Sequence, residues 1–375
     1  MGSILDKQDK TPISFASIYI KGQSIGTISN EEGRFVFHFP HTDNSTIIVV
    51  SSLGYESLEM SIDEFKTGEA IFLSSKVSQL DEVVITSTKK KKLTARQIVK
   101  KAYKTIAENY PVQPYILEGF IRDLQKEDDQ YVEYLECAAK FYNQAHFIKE
   151  EPDVELVEIR INSIAQKNPW NEEWERKNSI MDLIEDDFIR FDYGPIRAKG
   201  GWQYEIEDVL PYDSRFVYKI RGVDAPFQET ILYIDTKSFA FVRMELTRKK
   251  HNRRSWKRRL TNGEEISFYH VIFEYQQYQG KMYLKYQKEE DTWEIYDIED
   301  TSKLLFVKNP KKELFINRII TEDLATYSFQ ENMTKGSSIE NQSGEYNAKF
   351  WANYNAPLAT KKLSEIEKYL KSTQN

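Results

Sequence analysis

The first 86 residues alternate short β-type runs with turn signals, and this pattern limits the fold more than any other feature of the chain. The runs begin at Phe15, Phe35, Ile47, Leu58, Ala70 and Val83. Turns are indicated at Lys21-Gly22, Asn30 to Gly33, His41 to Asn44 and Gly68. About seven short strands in this length predict a small β-sandwich, the N-terminal module, over residues 1–86.

Four segments of this module carry a family resemblance. They are P12ISFASIYIKG, G26TISNEEGRF, the Gly54-Tyr55 pair and L80DEVVIT. Together they resemble the carboxypeptidase-regulatory-like domain common in envelope proteins of the Bacteroidota, which implies a transthyretin-like, seven-stranded sandwich. The same domain precedes the plug of outer-membrane nutrient receptors, but the rest of this chain is too short for a plug and a large barrel. The zinc chemistry of the peptidases does not carry over either, because none of the 5 histidines begins a His-x-x-Glu pair.

A polar, basic stretch from Ser87 predicts a linker over residues 87–93. Thr94 and Gln97 then form a capping box, which predicts the start of an amphipathic helix that ends before Pro111. This helix opens a second domain, predicted to span residues 94–375. A further helix is predicted from Glu172 to about Phe188 and a short one from Leu363.

From Tyr115 onward the second domain is predicted to be a succession of antiparallel strands. They begin at Tyr115, Gln130, Val154, Arg215, Thr230, Phe239, Phe268, Met282 and Thr292. Asn262-Gly263 and Gln279-Gly280 favour hairpin turns, so we expect a meander that forms an antiparallel sheet or half-barrel. This pattern resembles the half-barrel of bacterial lipoprotein carriers. The alternation of Tyr269, Val271, Phe273 and Tyr275 predicts one buried face, with His270 and Glu274 directed elsewhere. The fold class is therefore mainly β.

Composition excludes some classes and favours a compartment. A net charge of −7 argues against binding along nucleic acid. Cys137 is the single cysteine, which excludes an internal disulfide and predicts a buried packing thiol. No apolar run approaches the roughly 18–20 residues of a membrane helix. Met1-Gly2-Ser3 is typical of an expression remnant, and with the resemblance we expect a periplasmic or outer-membrane-associated protein whose signal peptide has been removed.

The strongest charge anomaly is a basic run from Arg243 to Arg259, which holds nine lysines and arginines. One interpretation is an anion-binding surface for lipid phosphates, an acidic glycan or an acidic partner. The other is a solvated hairpin whose charges protect a strand edge. The candidate anion-binding residues are Arg248, Lys249, Lys250, Arg253, Arg254, Lys257, Arg258 and Arg259.

Catalytic and metal signatures are weak throughout the sequence. His38 and His41 would point to opposite faces of a strand, which does not suit a metal ion. Ser87 and Lys90 match a serine–lysine pair only formally, since they fall in the predicted linker. Nucleophile elbows, phosphate-binding loops and dinucleotide fingerprints are missing from the sequence. We therefore predict no enzyme activity, no cofactor and no metal.

Three functional hypotheses remain. The first is a non-enzymatic envelope protein that docks or binds an envelope protein, glycan or lipid, with glycan or nutrient handling as its context. The second is a carrier of lipid or lipoprotein, which needs an apolar cavity of roughly 300 Å³ or more in the second domain. The third is an envelope hydrolase, which needs titratable residues that converge in one cleft.

Overall fold

The computed structural model describes residues 1–39, 45–75, 92–146, 152–163, 187–192, 194–213, 215–250, 264–297, 299–300, 302–325, 327, 329 and 347–373. Its first seven strands are β1 Gly2–Asp6, β2 Ser17–Ile20, β3 Gly26–Ile28, β4 Arg34–Phe35, β5 Ile47–Ser51, β6 Leu58–Ser61 and β7 Ala70–Leu73. They form two sheets, with strand orders β4-β1-β7 and β3-β2-β5-β6. This arrangement confirms the predicted sandwich. The predicted strand at Val83, the predicted linker and the turn from His41 lie outside the described residues, except for residues 92–93.

One predicted strand of the module is shorter than expected, and another was missed. A run was predicted to begin at Phe35, but β4 ends there. The reason is that Phe35 pairs with Gly2, at the start of β1, so the partner strand runs out. β3 was not among the predicted runs, because Gly26–Ile28 has only three residues.

The module has an apolar core of its own. Ile4, Ile18, Ile48 and Leu73 are fully buried and belong to one cluster that both sheets supply. Gly33 closes a turn against this core at φ +72°, and a Cβ there would lie 2.6 Å from the carbonyl oxygen of Ile4. Only glycine therefore fits this position without strain.

The second part of the described chain is one antiparallel sheet of eleven strands. They are β8 Tyr115–Glu127, β9 Gln130–Asn143, β10 Asp153–Ser163, β11 Gln203–Tyr212, β12 Arg215–Ala225, β13 Gln228–Asp235, β14 Phe241–Lys249, β15 Glu264–Tyr278, β16 Lys281–Tyr296, β17 Leu304–Lys308 and β18 Lys311–Ile320. The strand order is β10-β9-β8-β17-β16-β15-β14-β13-β12-β11, and β18 also lies between β16 and β8. The predicted antiparallel sheet is confirmed.

The sheet departs from the predicted meander in two ways. The runs predicted at Met282 and Thr292 are a single strand, β16. Its interior acids do not interrupt it, because Glu289 and Glu290 lie opposite Lys312 and Lys311 of β18. β11, β17 and β18 were not predicted. The Gln279-Gly280 turn is confirmed, with φ of +46° and +76°, whereas Asn262-Gly263 lies outside the described residues.

The sheet is strongly bent. In a flat sheet, four strand spacings would separate β11 from β15, or roughly 19 Å. The hydroxyl of Tyr212 on β11 nevertheless donates to Oε1 of Glu274 on β15 at 3.0 Å. Side chains on the two strands can meet in this way only if the sheet curls, as the predicted half-barrel requires.

Alternating side chains give the sheet two different faces. On β15, Val271, Phe273 and Tyr275 are buried in the main apolar core, which confirms the predicted face. Cys137 on β9 belongs to the same core, as predicted. The opposite face includes Phe120 and Ile272, which pack in a separate cluster with Ile28 of the module. We call these two surfaces the helix face and the module face.

Helix α1, Ala95–Lys104, covers the helix face. The predicted capping box is confirmed. Thr94 Oγ1 accepts a hydrogen bond from the backbone N–H of Gln97, and Gln97 Oε1 accepts one from the backbone N–H of Thr94. A short helix, α2 Ile106–Asn109, follows. α1 also holds the chain that crosses from β10 to β11, since Arg96 donates to the Trp202 carbonyl oxygen at 2.8 Å.

The described part of this crossover adds to the core of the helix face. It includes a 3₁₀ helix at Gly194–Arg197, and Phe188, Ile189 and Ile196 are almost completely buried. The predicted helix from Glu172 lies outside the described residues apart from its end, where Asp187 and Phe188 are not helical.

The chain continues into two helices, α3 Ala348–Asn353 and α4 Lys361–Thr373, and the second confirms the helix predicted from Leu363. Ile366 and Leu370 of α4 pack on Leu124 and Tyr134 of the module face. Among the described helices, none has the length and apolar character to cross a membrane.

Candidate functional site at the junction of module and sheet

An apolar patch joins the module to the large sheet. Ile28 of β3 is buried among Phe120, Ile272 and Phe315, and Trp351 of α3 completes the patch. Phe15 stacks on Tyr286 with ring centroids 5.1 Å apart. Because Ile28 and Phe15 do not belong to the module's own core, they are available for this contact.

Polar contacts surround this patch on several sides. Tyr19 donates to Asp213 Oδ1 at 2.5 Å, and the Gly54 amide donates to the Pro211 carbonyl oxygen at 2.9 Å. Lys311 Nζ lies 2.7 Å from Glu31 Oε1. The C-terminal segment adds further bonds: the amide of Asn355 and the backbone of His38 exchange hydrogen bonds at 2.7 Å, and Asn30 donates to the Leu358 carbonyl oxygen. These contacts fix the position of the module on the sheet.

A cleft of about 290 Å³, the junction cleft, lies between β2 and the end of the β15–β16 hairpin. Its lining is rich in amides and hydroxyls. The amides are Gln23, Gln276, Gln277 and Gln279. The hydroxyls belong to Ser17, Ser24, Ser51, Tyr19, Tyr212 and Tyr278.

A buried ion network lies beside the junction cleft. Glu274 accepts from Lys285 at 2.5 Å, from Arg243 at 2.9 Å and from Tyr212 at 3.0 Å. Burial alone would raise the pKa of Glu274, but Lys285 and Arg243 outweigh it and lower the pKa to about 2. Lys285 is the extra residue at a β-bulge, which places its ammonium next to Glu274. Arg243 also pairs with Glu245 at 2.7 Å, so two carboxylates balance two cations in this network.

A second cleft of about 290 Å³, the charged cleft, lies under α4. Its charged lining consists of Glu31, Glu290, Glu313, Arg122, Lys311 and Lys362. Arg122 is bound to buried Glu136 through Nε at 2.9 Å, and Arg160 pairs with the same carboxylate. Burial opposes ionisation of Glu136, but the two guanidinium groups lower its pKa. These acids and bases largely neutralise one another.

A third group of titratable residues lies inside the helix face. His146 Nε2 is 3.3 Å from Asp187 Oδ2, and the hydroxyl of Tyr275 donates to Asp187 Oδ1 at 2.8 Å. His146 Nδ1 is 3.1 Å from the Tyr115 hydroxyl. His146 and Asp187 are only 1% and 2% exposed. The group therefore ties the crossover to β8 and β15 and offers no opening to a substrate.

The structure describes only part of the predicted basic surface. The guanidinium of Arg248 lies 5.0 Å from the ring of Tyr269. Lys250 Nζ pairs with Glu294 at 2.5 Å and with Glu265 at 2.9 Å, while Lys249 is exposed. Arg253, Arg254, Lys257, Arg258 and Arg259 lie outside the described residues. Anion binding by this run stays a prediction, as does the edge-protecting interpretation.

The sequence did not point to the junction cleft. Q276QYQ is a local cluster of amides at a correctly predicted hairpin turn, and it is the one signal that could have drawn attention. The matching wall, Ser17 and Tyr19, comes from a strand about 260 residues earlier in the chain. Only docking of the module brings the two walls together.

Comparison with known protein families confirms the resemblance of the first segment. Residues 1–85 match the model of the CarboxypepD_reg-like domain. This match covers less than a quarter of the 375 residues. The sequence has no match among curated proteins.

Solved structures similar to the chain include three bacterial proteins. A LolA superfamily protein from Nitrosomonas europaea has a TM-score of 0.27 at 11% identity, covering 64% of this chain and 100% of its own. A putative outer membrane lipoprotein-sorting protein domain from Vibrio parahaemolyticus has a TM-score of 0.26 at 12% identity, covering 65% of this chain and 97% of its own. A DUF1329 family protein from Desulfovibrio piger has a TM-score of 0.28 at 10% identity, covering 62% of this chain and 95% of its own. These include the lipoprotein-carrier class that the second domain resembles in its strand pattern.

Proposed function

We propose that this chain is a non-enzymatic binding protein of the cell envelope, and that its ligand binds where the module meets the large sheet. The observation that carries the proposal is the position of the two described clefts. Both lie where the module meets the large sheet, and the C-terminal segment lines the charged cleft as well. A ligand there would touch two separately folded parts of one molecule, as ligands at domain interfaces commonly do.

The rigid junction supports this proposal. A module used only as a spacer would need few contacts with the domain that it carries. Here Ile28 is buried against the sheet and Tyr19, Glu31 and Asn30 are bonded across the junction. The cleft walls are therefore already in place before a ligand arrives, which reduces the entropic cost of binding.

The helix face offers less to a ligand. Its described residues form a packed core that α1 and the crossover cover, with Phe188, Val271 and Phe273 fully buried. The histidine–aspartate pair at its centre is closed to solvent, with the hydroxyls of Tyr115 and Tyr275 bonded to it. An envelope location is favoured by the resemblance of residues 1–85 to domains of envelope proteins.

The proposal can be tested by amide hydrogen exchange on the whole protein. The protein would be mixed separately with the polysaccharide fraction and the lipid fraction of a bacterial envelope. We expect slower exchange at residues 17–24 and 276–280 with a ligand-containing fraction, and no change at residues 98–104 and 187–192. Protection confined to the helix-face residues would contradict the proposal.

A lipid carrier is the second candidate, and one observation favours it. The eleven-stranded sheet is open, with β10 and β11 as its described edges, and the described part of the crossover between them lies over an apolar face. Movement of the crossover would expose that face to an acyl chain. In the exchange experiment, a carrier predicts that the lipid fraction changes exchange at residues 187–192, where the crossover packs.

A further inference from the structure

We infer that the junction cleft binds an uncharged saccharide. The inference rests on the proposed function, which places a ligand at the junction, and adds the chemical class of that ligand. It follows from the groups that line the cleft, their charge balance and the hydrogen-bonding capacity that they leave unused.

Amides and hydroxyls dominate the lining. Ten of its fourteen residues are glutamine, serine or tyrosine. Each amide offers donors and acceptors together, and each hydroxyl can act as either, which matches the paired donor and acceptor character of sugar hydroxyls. Half-buried Tyr278 adds flat apolar surface, to which the C–H face of a sugar ring can pack. A volume of about 290 Å³ suits a small part of an oligosaccharide.

Charge on the cleft wall is already balanced. The charged residues of the lining are Asp213 and Lys285. Asp213 accepts from Tyr19 and lies 3.9 Å from Arg215, and Lys285 is paired with Glu274 at 2.5 Å. A charged ligand would have to compete with these pairs, whereas a neutral ligand would leave them intact. The charged cleft under α4 differs in the number of its charged lining residues, which is six.

Two side chains of the lining have hydrogen-bonding groups that the described residues do not use. Ser17 Oγ is buried without a hydrogen-bond partner among the described residues. Ile18 and Ile20 of β2 point into the module core. Because successive side chains of a strand point to opposite faces, Ser17 faces away from that core. Gln276 lines the cleft and has no side-chain hydrogen bond to the rest of the described chain. A buried hydroxyl usually has a partner, so a ligand or a water that it brings would satisfy Ser17, and the half-buried Gln276 side chain can bond to the same ligand.

A peptide fits this cleft less well. Peptide recognition usually combines backbone hydrogen bonds with pockets for alternate side chains. Ile319 is the one aliphatic residue of the described lining, and neither lining charge is unpaired. The chemistry thus favours a ligand whose polar groups are uniform and uncharged.

The inference can be tested with an array of defined neutral and uronic-acid oligosaccharides, followed by calorimetry on the best ligand. We expect neutral oligosaccharides to bind the whole protein. Gln276→Ala and Ser17→Ala should each weaken binding about tenfold, the upper effect of one hydrogen bond. Gln203→Ala, on the exposed edge strand β11, is the matched control and should bind as the parent does.

The outcomes separate this inference from the proposed function. Neutral saccharide binding that Gln276→Ala and Ser17→Ala weaken, with unchanged thermal unfolding, supports the inference. Preference for uronic-acid oligosaccharides, or no saccharide binding, overturns it. If slower exchange at residues 17–24 and 276–280 is still seen with a lipid or peptide ligand, the junction remains the site and only the saccharide is rejected. Saccharide binding that the two variants leave unchanged overturns the assignment to this cleft.

Discussion

Glu274 is the residue for which the structure gives the clearest prediction about stability. Its side chain was predicted to leave the apolar face of β15, and it does so. Its burial on the other face was not predictable, because Arg243 comes from β14 and Lys285 from a bulge in β16. The alternation of side chains along a strand predicts which face of the sheet a residue lies on, but it does not predict which charged residues of other strands lie beside it.

Acid should destabilise the protein partly through this carboxylate. The pKa of Glu274 in the fold is about 2, below its ordinary value of 4.5, so its contribution is complete above about pH 4.5 and is lost as the pH falls towards 2. The shift corresponds to about 3 kcal/mol for this buried group. We expect Glu274→Gln to lower the free energy of unfolding by about 3–5 kcal/mol at pH 6, because it leaves buried Lys285 without its counter-ion and removes one of the two carboxylates that pair with Arg243. Urea unfolding at pH 6 and pH 3 measures both effects.

Exposed Glu365 provides the control for this variant. Glu365→Gln should change stability by less than about 0.5 kcal/mol and keep the parent's acid sensitivity. Glu274→Gln should show a smaller loss of stability between pH 6 and pH 3 than the parent. Equal losses in parent and Glu274→Gln would refute the role assigned to this carboxylate.

At the scale of elements, short sequence motifs correctly predicted the helix starts and turns that depend on interactions between nearby residues. The capping box of α1 and the Gln279-Gly280 turn are fixed by a few neighbouring residues. β16 was divided in two because K288EED has the composition of a loop, yet its acids pair with Lys311 and Lys312 some twenty residues later. A cross-strand partner can thus override the composition of a segment.

The capping box gives a prediction for α1. Thr94→Ala removes the acceptor for the Gln97 amide and should lower the free energy of unfolding by about 1 kcal/mol. Because α1 holds Trp202 and covers the helix face, we also expect faster amide exchange at residues 98–104. Thr67→Ala, at an exposed turn of the module, should leave that exchange unchanged. Equal exchange in Thr94→Ala and the parent would show that packing alone holds the helix.

At the scale of the whole molecule, the sequence predicted two parts but not how they meet. The module's core and the core of the helix face are separate clusters, as an independent module requires. The junction depends on Ile28, Phe15, Phe120 and Trp351, whose apolar character alone does not distinguish them from ordinary core residues. The junction cleft could therefore not be predicted from the sequence, because its walls become neighbours only when the module docks on the sheet.

Ile28 allows a test of docking without damage to either core. Its side chain is 5% exposed and lies in the patch between module and sheet, outside the module's own cluster. Ile28→Asp would place a carboxylate among Phe120, Ile272 and Phe315, which costs several kcal/mol unless the module moves away. We expect the module to separate and the radius of gyration from X-ray scattering to increase, while circular dichroism keeps the strand signal. Ile28→Leu conserves volume and should retain the parent's dimensions.

If Ile28→Asp stays as compact as the parent, the polar contacts of Tyr19 and Glu31 suffice to hold the module. If its strand signal is lost, the module cannot fold away from the sheet, and the junction is part of its folding core.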